Sequence, residues 1–165
     1  MGENGEEQNE QMGILLNENR KNKTFNKNKE RPWKIMIQNM GGLVSENSKE
    51  KVDLLREYVK EDNIMLMNLT ETWLDSTIKD VVEIDGYNIF RGDRNDRKRG
   101  GTAIYVHDNI EANLILEMSN GTCDMVAVEM PDVQVVNIVI YRPPGTKSQE
   151  FNPILSEVQK KSSKN

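Results

Sequence analysis

Trp33-Lys34-Ile35-Met36-Ile37-Gln38-Asn39 and Ile64-Met65-Leu66-Met67-Asn68-Leu69-Thr70-Glu71 decide the fold of this chain. The first run alternates, with Trp33, Ile35 and Ile37 on one face and Lys34, Met36 and Gln38 on the other, and it closes on an amide. The second is almost continuously apolar, short enough for a strand covered on both faces, and it closes on a carboxylate. Between them the spacing predicts one helix, Asn47–Lys60. Asn47 or Ser48 would cap it, Glu50 lies in its first turn, and Val52, Leu55, Tyr58 and Val59 form a stripe that Leu54 widens. Strand, helix, strand is the pattern of a parallel crossover. It places Asn39 and Glu71 on one edge of one sheet, where open α/β sheets bind ligands. Two readings follow: a metal or phosphate site, or two polar caps on buried strands.

The 165 residues suffice for one domain. Hydrophobic residues make up 36% and charged residues 30%, so part of the chain is expected to stay outside a packed core. That part is residues 1–31, a polar tail with acidic residues first and a basic run from Arg20 to Lys34, read either as a solvated linker or as a basic arm. The formal net charge of -5 gives no global pull toward nucleic acid, so binding of that kind needs a local patch. One cysteine, Cys123, excludes an internal disulfide and a cysteine-built zinc site, and one histidine, His107, excludes most histidine-rich metal sites. No apolar run approaches the roughly 18 residues of a membrane span, and no secretion signal is recognisable, so the expected setting is intracellular, nuclear or cytoplasmic, and not secreted.

Further along, Gly86–Phe90, Thr102–Val106, Leu114–Met118, Asp124–Met130 and Val133–Tyr141 read as strands, with a hairpin signal at Ser119-Asn120-Gly121. Arg142-Pro143-Pro144-Gly145 ends the last of them, and Phe151, Ile154, Leu155 and Val158 then recur at helical spacing over Ser148–Lys161. Arg91, Arg94, Arg97, Lys98 and Arg99 make the local basic patch. It is either a solvated hairpin tip or a loop that contacts the phosphates of nucleic acid. Gly100-Gly101 lacks the Lys-Ser/Thr pair of a phosphate-binding loop. Trp73 reads as a core residue, and His107 beside Asp108 as a surface histidine at a strand end rather than a catalytic dyad.

Four pieces together resemble the endonuclease/exonuclease/phosphatase family, and more narrowly the apurinic-type endonuclease domain of non-LTR (LINE-like, jockey-like) retrotransposons. They are Lys34–Leu43 with its asparagine, Ile64–Leu74 with Glu71-Thr72-Trp73-Leu74, Gly86-Tyr87 with Arg91-Gly92-Asp93-Arg94 and Gly100–Val106, and Ile138–Pro144 with Tyr141-Arg142-Pro143-Pro144. The resemblance covers roughly residues 33–160. It implies an α/β chain forming part of a four-layered, DNase I-like sandwich, with the first sheet and its flanking helices only. It implies hydrolysis of DNA phosphodiesters with Mg²⁺ or Mn²⁺, and no small-molecule cofactor. By the same resemblance Glu71 is the metal ligand, Asn39 helps to place metal and phosphate, and Tyr141 bonds the scissile phosphate.

The family's later motifs, a GDFN-type Asp/Asn pair and a closing Asp-His pair, have no counterpart here. Residues 32–165 therefore resemble the N-terminal half of such a domain, truncated before the GDFN-type motif and expected to be inactive alone. The partners implied are DNA and, for the fragment, the missing half-domain or a reverse transcriptase. The alternative is a non-catalytic remnant that binds nucleic acid or a partner through loop 91–99. In the first-sheet-only arrangement, the apolar faces of the Ile64 and Val135 runs are expected to lack a covering layer.

Overall fold

A computed structural model describes residues 32–44, 49–61, 63–78, 80–94 and 99–162. The elements run β1 (Lys34–Asn39), α1 (Lys49–Glu61), β2 (Ile64–Thr70), β3 (Tyr87–Gly92), β4 (Thr102–His107), β5 (Asn113–Ser119), β6 (Asp124–Met130), β7 (Val135–Tyr141) and α2 (Ser148–Ser162). Single 3-10 turns stand at Asp80–Val82 and Pro131–Val133. The tail 1–31, the proposed caps Asn47 and Ser48, and the basic residues Arg97 and Lys98 lie outside the described residues.

The crossover reading holds. β1 and β2 pair in parallel with Asn39 opposite Thr70, so Asn39 and Glu71 leave the same sheet edge. β4 joins β2 and β3 antiparallel, and the first sheet has the order β1-β2-β4-β3. The class is α/β as expected, but the chain builds two sheets rather than the first alone: β5, β6 and β7 form a separate antiparallel sheet. Two half-apolar sheets bury more by facing each other than by extending edge to edge.

The second sheet supplies the cover that the Ile64 run was expected to lack. Met65, Leu66, Ile104 and Val106 of the first sheet meet Val126, Val128, Met130 and Val139 of the second. On the other face of the first sheet, Val52 and Leu55 of α1 close over Met67, Leu69, Ala103 and Tyr105. Leu54 and Tyr58, read as part of the same stripe, are about half exposed; the buried stripe is narrower, with Val52 and Leu55 buried and Val59 partly so. Ile154 and Val158 of α2 cover Leu116, Met125 and Ala127 on the outer face of the second sheet. The layers are thus helix, sheet, sheet, helix.

Asn68 of β2 and Asn137 of β7 are partly buried between the sheets and exchange reciprocal amide hydrogen bonds of 3.1 and 2.8 Å. Each amide satisfies the other, which removes the desolvation cost of a polar group in that layer and favours one stagger of β7 over β2. The sheets do not overlap fully. β7 lies over β2 and β4, β6 over β4 and β3, and β5 over β3. β1 overhangs: Ile35 and Ile37 share the inter-sheet face with Leu66 and Asn68, yet they are 52% and 76% exposed.

Candidate active site

Beyond the last paired residues of β1 and β2, the chain stays zipped. Met40 N–H donates to Thr70 O (2.9 Å), Gly42 N–H to Glu71 O (2.8 Å) and Leu43 N–H to Thr72 O (2.7 Å). On its other side the Glu71 loop is held by Gly100 and Gly101: Trp73 N–H donates to Gly100 O (2.9 Å) and Thr72 N–H to Gly101 O (3.4 Å). The carboxylate-bearing loop is therefore clamped between two Gly-Gly loops. Glycine is required at both. A side-chain carbon on Gly42 would lie 2.5 Å from the Trp73 ring, and one on Gly100 would lie 2.6 Å from Asp124 Oδ2, both from backbone with φ near +90°. Lys51 of α1 fixes the first loop from below, with Nζ donating to Met40 O (2.6 Å), Gly42 O (2.8 Å) and Gly41 O (3.2 Å).

Glu71 and Trp73 both adopt positive φ, 55° and 57°. For residues with side chains such backbone costs on the order of 1–3 kcal/mol, and it persists where the surroundings over-determine it. The surroundings here are specific. Glu71 Oε2 accepts from Trp73 Nε1 (2.7 Å) and from Gly100 N–H (3.1 Å), and the Tyr141 hydroxyl contacts the same carboxylate. Partial burial works against the charged form of Glu71. The hydrogen bonds from Tyr141, Trp73 and Gly100 and the positive charge of Arg94 outweigh it, and the pKa falls below its ordinary value. Tyr141 moves the other way: burial and its hydrogen bond to a carboxylate push it up to about 12. At neutral pH the pair is an anionic carboxylate held by a neutral phenol.

Asn39 stands exposed at the end of β1, its Oδ1 accepting from Gly41 N–H (3.1 Å). Arg91 and Arg94, read from the sequence as nucleic-acid contacts, turn inward. Arg91 bonds both oxygens of Asp93 and the carbonyls of Asp75 and Ile78. Arg94 is buried against Asp124, with Nε donating to Oδ1 (3.0 Å) and Nη2 in charge contact with Oδ2 (2.8 Å). Arg99 stays on the surface, its guanidinium 5.6 Å from the centre of the Trp73 ring. His107 touches Asp108 and the edge of the Tyr87 ring at the far end of β4 from Gly101.

Sequence reasoning missed four participants. Trp73 is 37% exposed and orients Glu71, rather than being a core residue. The amides of Gly100 and Gly101 are donors to carboxylates, and Asp124 is a buried acceptor rather than the first residue of a strand only. A usable signal was the acid opening an otherwise apolar strand, Asp124-Met125-Val126-Ala127-Val128. Among the described residues no three acidic, histidine or cysteine side chains converge on one point. One carboxylate beside one amide is a poor cage for a metal. It does suit a hard ion that keeps most of its waters and completes its shell on phosphate oxygens, as Mg²⁺ does.

No protein-family model and no curated protein matches the sequence. Solved structures do match. The endonuclease domain of TRAS1, a telomere-specific non-LTR retrotransposon, aligns at 11% identity with a TM-score of 0.53, over 79% of this chain and 55% of its own. A D. rerio TDP2 humanized by 14 mutations aligns at 17% identity and 0.54, over 78% and 55%. C. elegans TDP2 aligns at 18% identity and 0.52, over 79% and 43%. The chain thus spans about half the length of the structures it matches. At these identities the likeness is one of fold. Over that half, the chain shares the DNase I-like fold of these structures.

Proposed function

We propose that this chain carries the metal-side half of the active site of a retrotransposon-type DNA endonuclease, with Glu71 as ligand to Mg²⁺ or Mn²⁺. The observation that carries this reading is the Glu71 carboxylate, held anionic by Trp73, Gly100 and Tyr141 on the sheet edge it shares with Asn39. A divalent ion bound there would neutralise charge developing on a phosphodiester in the transition state. The chain's own contributions are then distinct. Glu71 would hold the ion. The Asn39 amide, exposed at the neighbouring strand end, would orient a phosphate oxygen. The Tyr141 hydroxyl, kept protonated well above neutral pH, would donate a hydrogen bond to the phosphate group. The superfamily's general base has no matching residue in these 165 positions, and loss of one such group costs about 10²–10⁴ in rate. The isolated chain is therefore expected to bind metal and DNA weakly and to nick poorly, in an intracellular setting.

Similarity to the TRAS1 endonuclease domain supports DNA as substrate. The rival reading, a non-catalytic module using loop 91–99, is weaker because Arg91 and Arg94 direct their donors into the chain. The test is Mn²⁺ binding and plasmid nicking by the 165-residue chain and by Glu71→Gln. Binding that the substitution removes, with no nicking from either, is the expected result. Nicking that vanishes in Glu71→Gln would keep the site and overturn the inactivity. Equal Mn²⁺ binding by both would remove Glu71 as a ligand.

A further inference from the structure

We propose that the buried Arg94–Asp124 pair is the positioning device of this site, setting the Gly100–Gly101 loop and, through it, the Glu71 carboxylate for a divalent cation. The inference rests on the reading of Glu71 as a metal ligand.

Asp124 is fully buried and is met on every side. Its Oδ1 accepts from Arg94 Nε (3.0 Å) and Ser119 Oγ (2.8 Å), and its Oδ2 accepts from Gly101 N–H (2.8 Å) and faces Arg94 Nη2. These partners come from three places, the segment after β3, the end of β5 and the loop before β4, and Asp124 itself opens β6. Asp124 is also the register partner of Tyr141 in the β6–β7 ladder, and the Arg94 guanidinium stands 6.0 Å from the centre of the Tyr141 ring. One ion pair thereby touches the two elements that grip Glu71 from outside its own loop: the Gly100 amide, one residue before the Gly101 amide that Asp124 fixes, and Tyr141. Gly100 has no room for a side chain because Asp124 and Arg94 fill that space, so the loop's path is set by the pair itself.

Bringing two charges into this interior is not the cheapest way to join two sheets. An apolar pair of similar volume often does so as well or better. What an apolar pair lacks is direction: it offers Gly101 N–H no acceptor and Tyr141 no cation. Arg94 and Asp124 touch neither substrate nor ion, so they are positioning residues, and a role in metal placement is separable from a role in holding the sheets.

The experiment uses the 165-residue chain and the paired substitution Arg94→Met with Asp124→Leu, which removes both charges and keeps a branched side chain at position 124. The readouts are thermal unfolding, the Mn²⁺ dissociation constant, and the Trp73 indole N–H resonance, separated from that of Trp33 with Trp33→Phe. The expected outcome is a cooperative unfolding transition, Mn²⁺ binding weakened at least about tenfold, and an indole N–H displaced toward its solvent-exposed position as the hydrogen bond to Glu71 is lost. A folded double variant with wild-type Mn²⁺ affinity and an unmoved indole resonance would overturn the proposal and leave the pair a structural rivet. Arg94→Lys is the second variant, keeping the charge without the planar fork. Intermediate affinity supports the proposal, and wild-type affinity in a folded Arg94→Lys chain overturns it. Glu71→Gln separates the two readings. If it binds Mn²⁺ as the wild type does, or if the wild type binds none, the ligand assignment fails and the positioning role falls with it; loss in Glu71→Gln alone sinks the positioning role and keeps the ligand.

Discussion

The rim around Glu71 and the overhang at β1 belong to the same two sheets and are finished to different degrees. At the rim, two Gly-Gly loops, a lysine on three carbonyls and a buried ion pair fix the loop that carries Glu71. At the overhang, Ile35 and Ile37 stand on the inter-sheet face yet stay largely exposed, and Val135 of the edge strand β7 is 42% exposed. The first region is over-determined by contacts within these residues, which is why it sustains positive φ at Glu71 and Trp73. The second presents a strand that ends its sheet among the described residues together with exposed apolar side chains, the combination that favours pairing with another chain. Preorganisation in this fold is therefore local: the loops at the rim are held rigidly while the face of the neighbouring strand β1 stays largely uncovered.

The largest effect should come from breaking the rim. Gly100→Ala places a carbon where Asp124 and Arg94 already sit, on backbone at φ +90°. Backbone strain there costs on the order of 1–3 kcal/mol, and displacing a buried charge pair adds to it. Urea unfolding should show a loss of at least about 2 kcal/mol. A loss under about 0.5 kcal/mol, the usual range for surface changes, would mean that the rim relaxes freely and the contrast with the overhang is false.

At the overhang the sign differs. Ile35→Thr with Ile37→Thr keeps β-branched side chains on an edge strand and removes exposed apolar surface. Stability should change by only about 0.5 kcal/mol, while self-association, followed by sedimentation velocity across protein concentrations, should fall. A large drop in stability with unchanged association would show that these isoleucines are covered, and that the two regions are equally finished.

The parts that could be read from the sequence are those where a local pattern matches a local cause. The crossover, the shared edge of Asn39 and Glu71, and the hairpin of β5 and β6 all follow from runs of a few residues. The second sheet was legible as strands but not as a sheet, because the choice between extending and stacking depends on area buried by residues far apart. In the basic loop, the inward turn of Arg91 and Arg94 was illegible for a related reason. Charge in a sequence carries no direction, and Arg94 points inward only because Asp124, 30 positions later, waits there. Trp73 misled in the opposite sense: an aromatic just after a buried apolar strand reads as core, yet the turn at Glu71 rotates it onto the rim.

The subtlest effect sharpens the contrast without damaging either region. Tyr141 is held near 12 in the folded chain against an ordinary 10. A raised pKa means that its contribution to stability is complete below about pH 10 and is lost as pH rises toward 12. Glu71 is lowered, so its contribution is present above its ordinary value of 4.5 and fades as pH falls through the lower folded value. The carboxylate–phenol contact thus spans the neutral range. A pH-jump difference titration of the phenolate absorbance, wild type against Tyr141→Phe, should place Tyr141 late. In Glu71→Gln the same difference should move back toward 10, because the anion that opposed ionisation is gone. A Tyr141 that ionises near 10 in the wild type would mean that its hydroxyl does not reach Glu71. The rim would then be gripped from one sheet alone, and β7 would belong with the open edge.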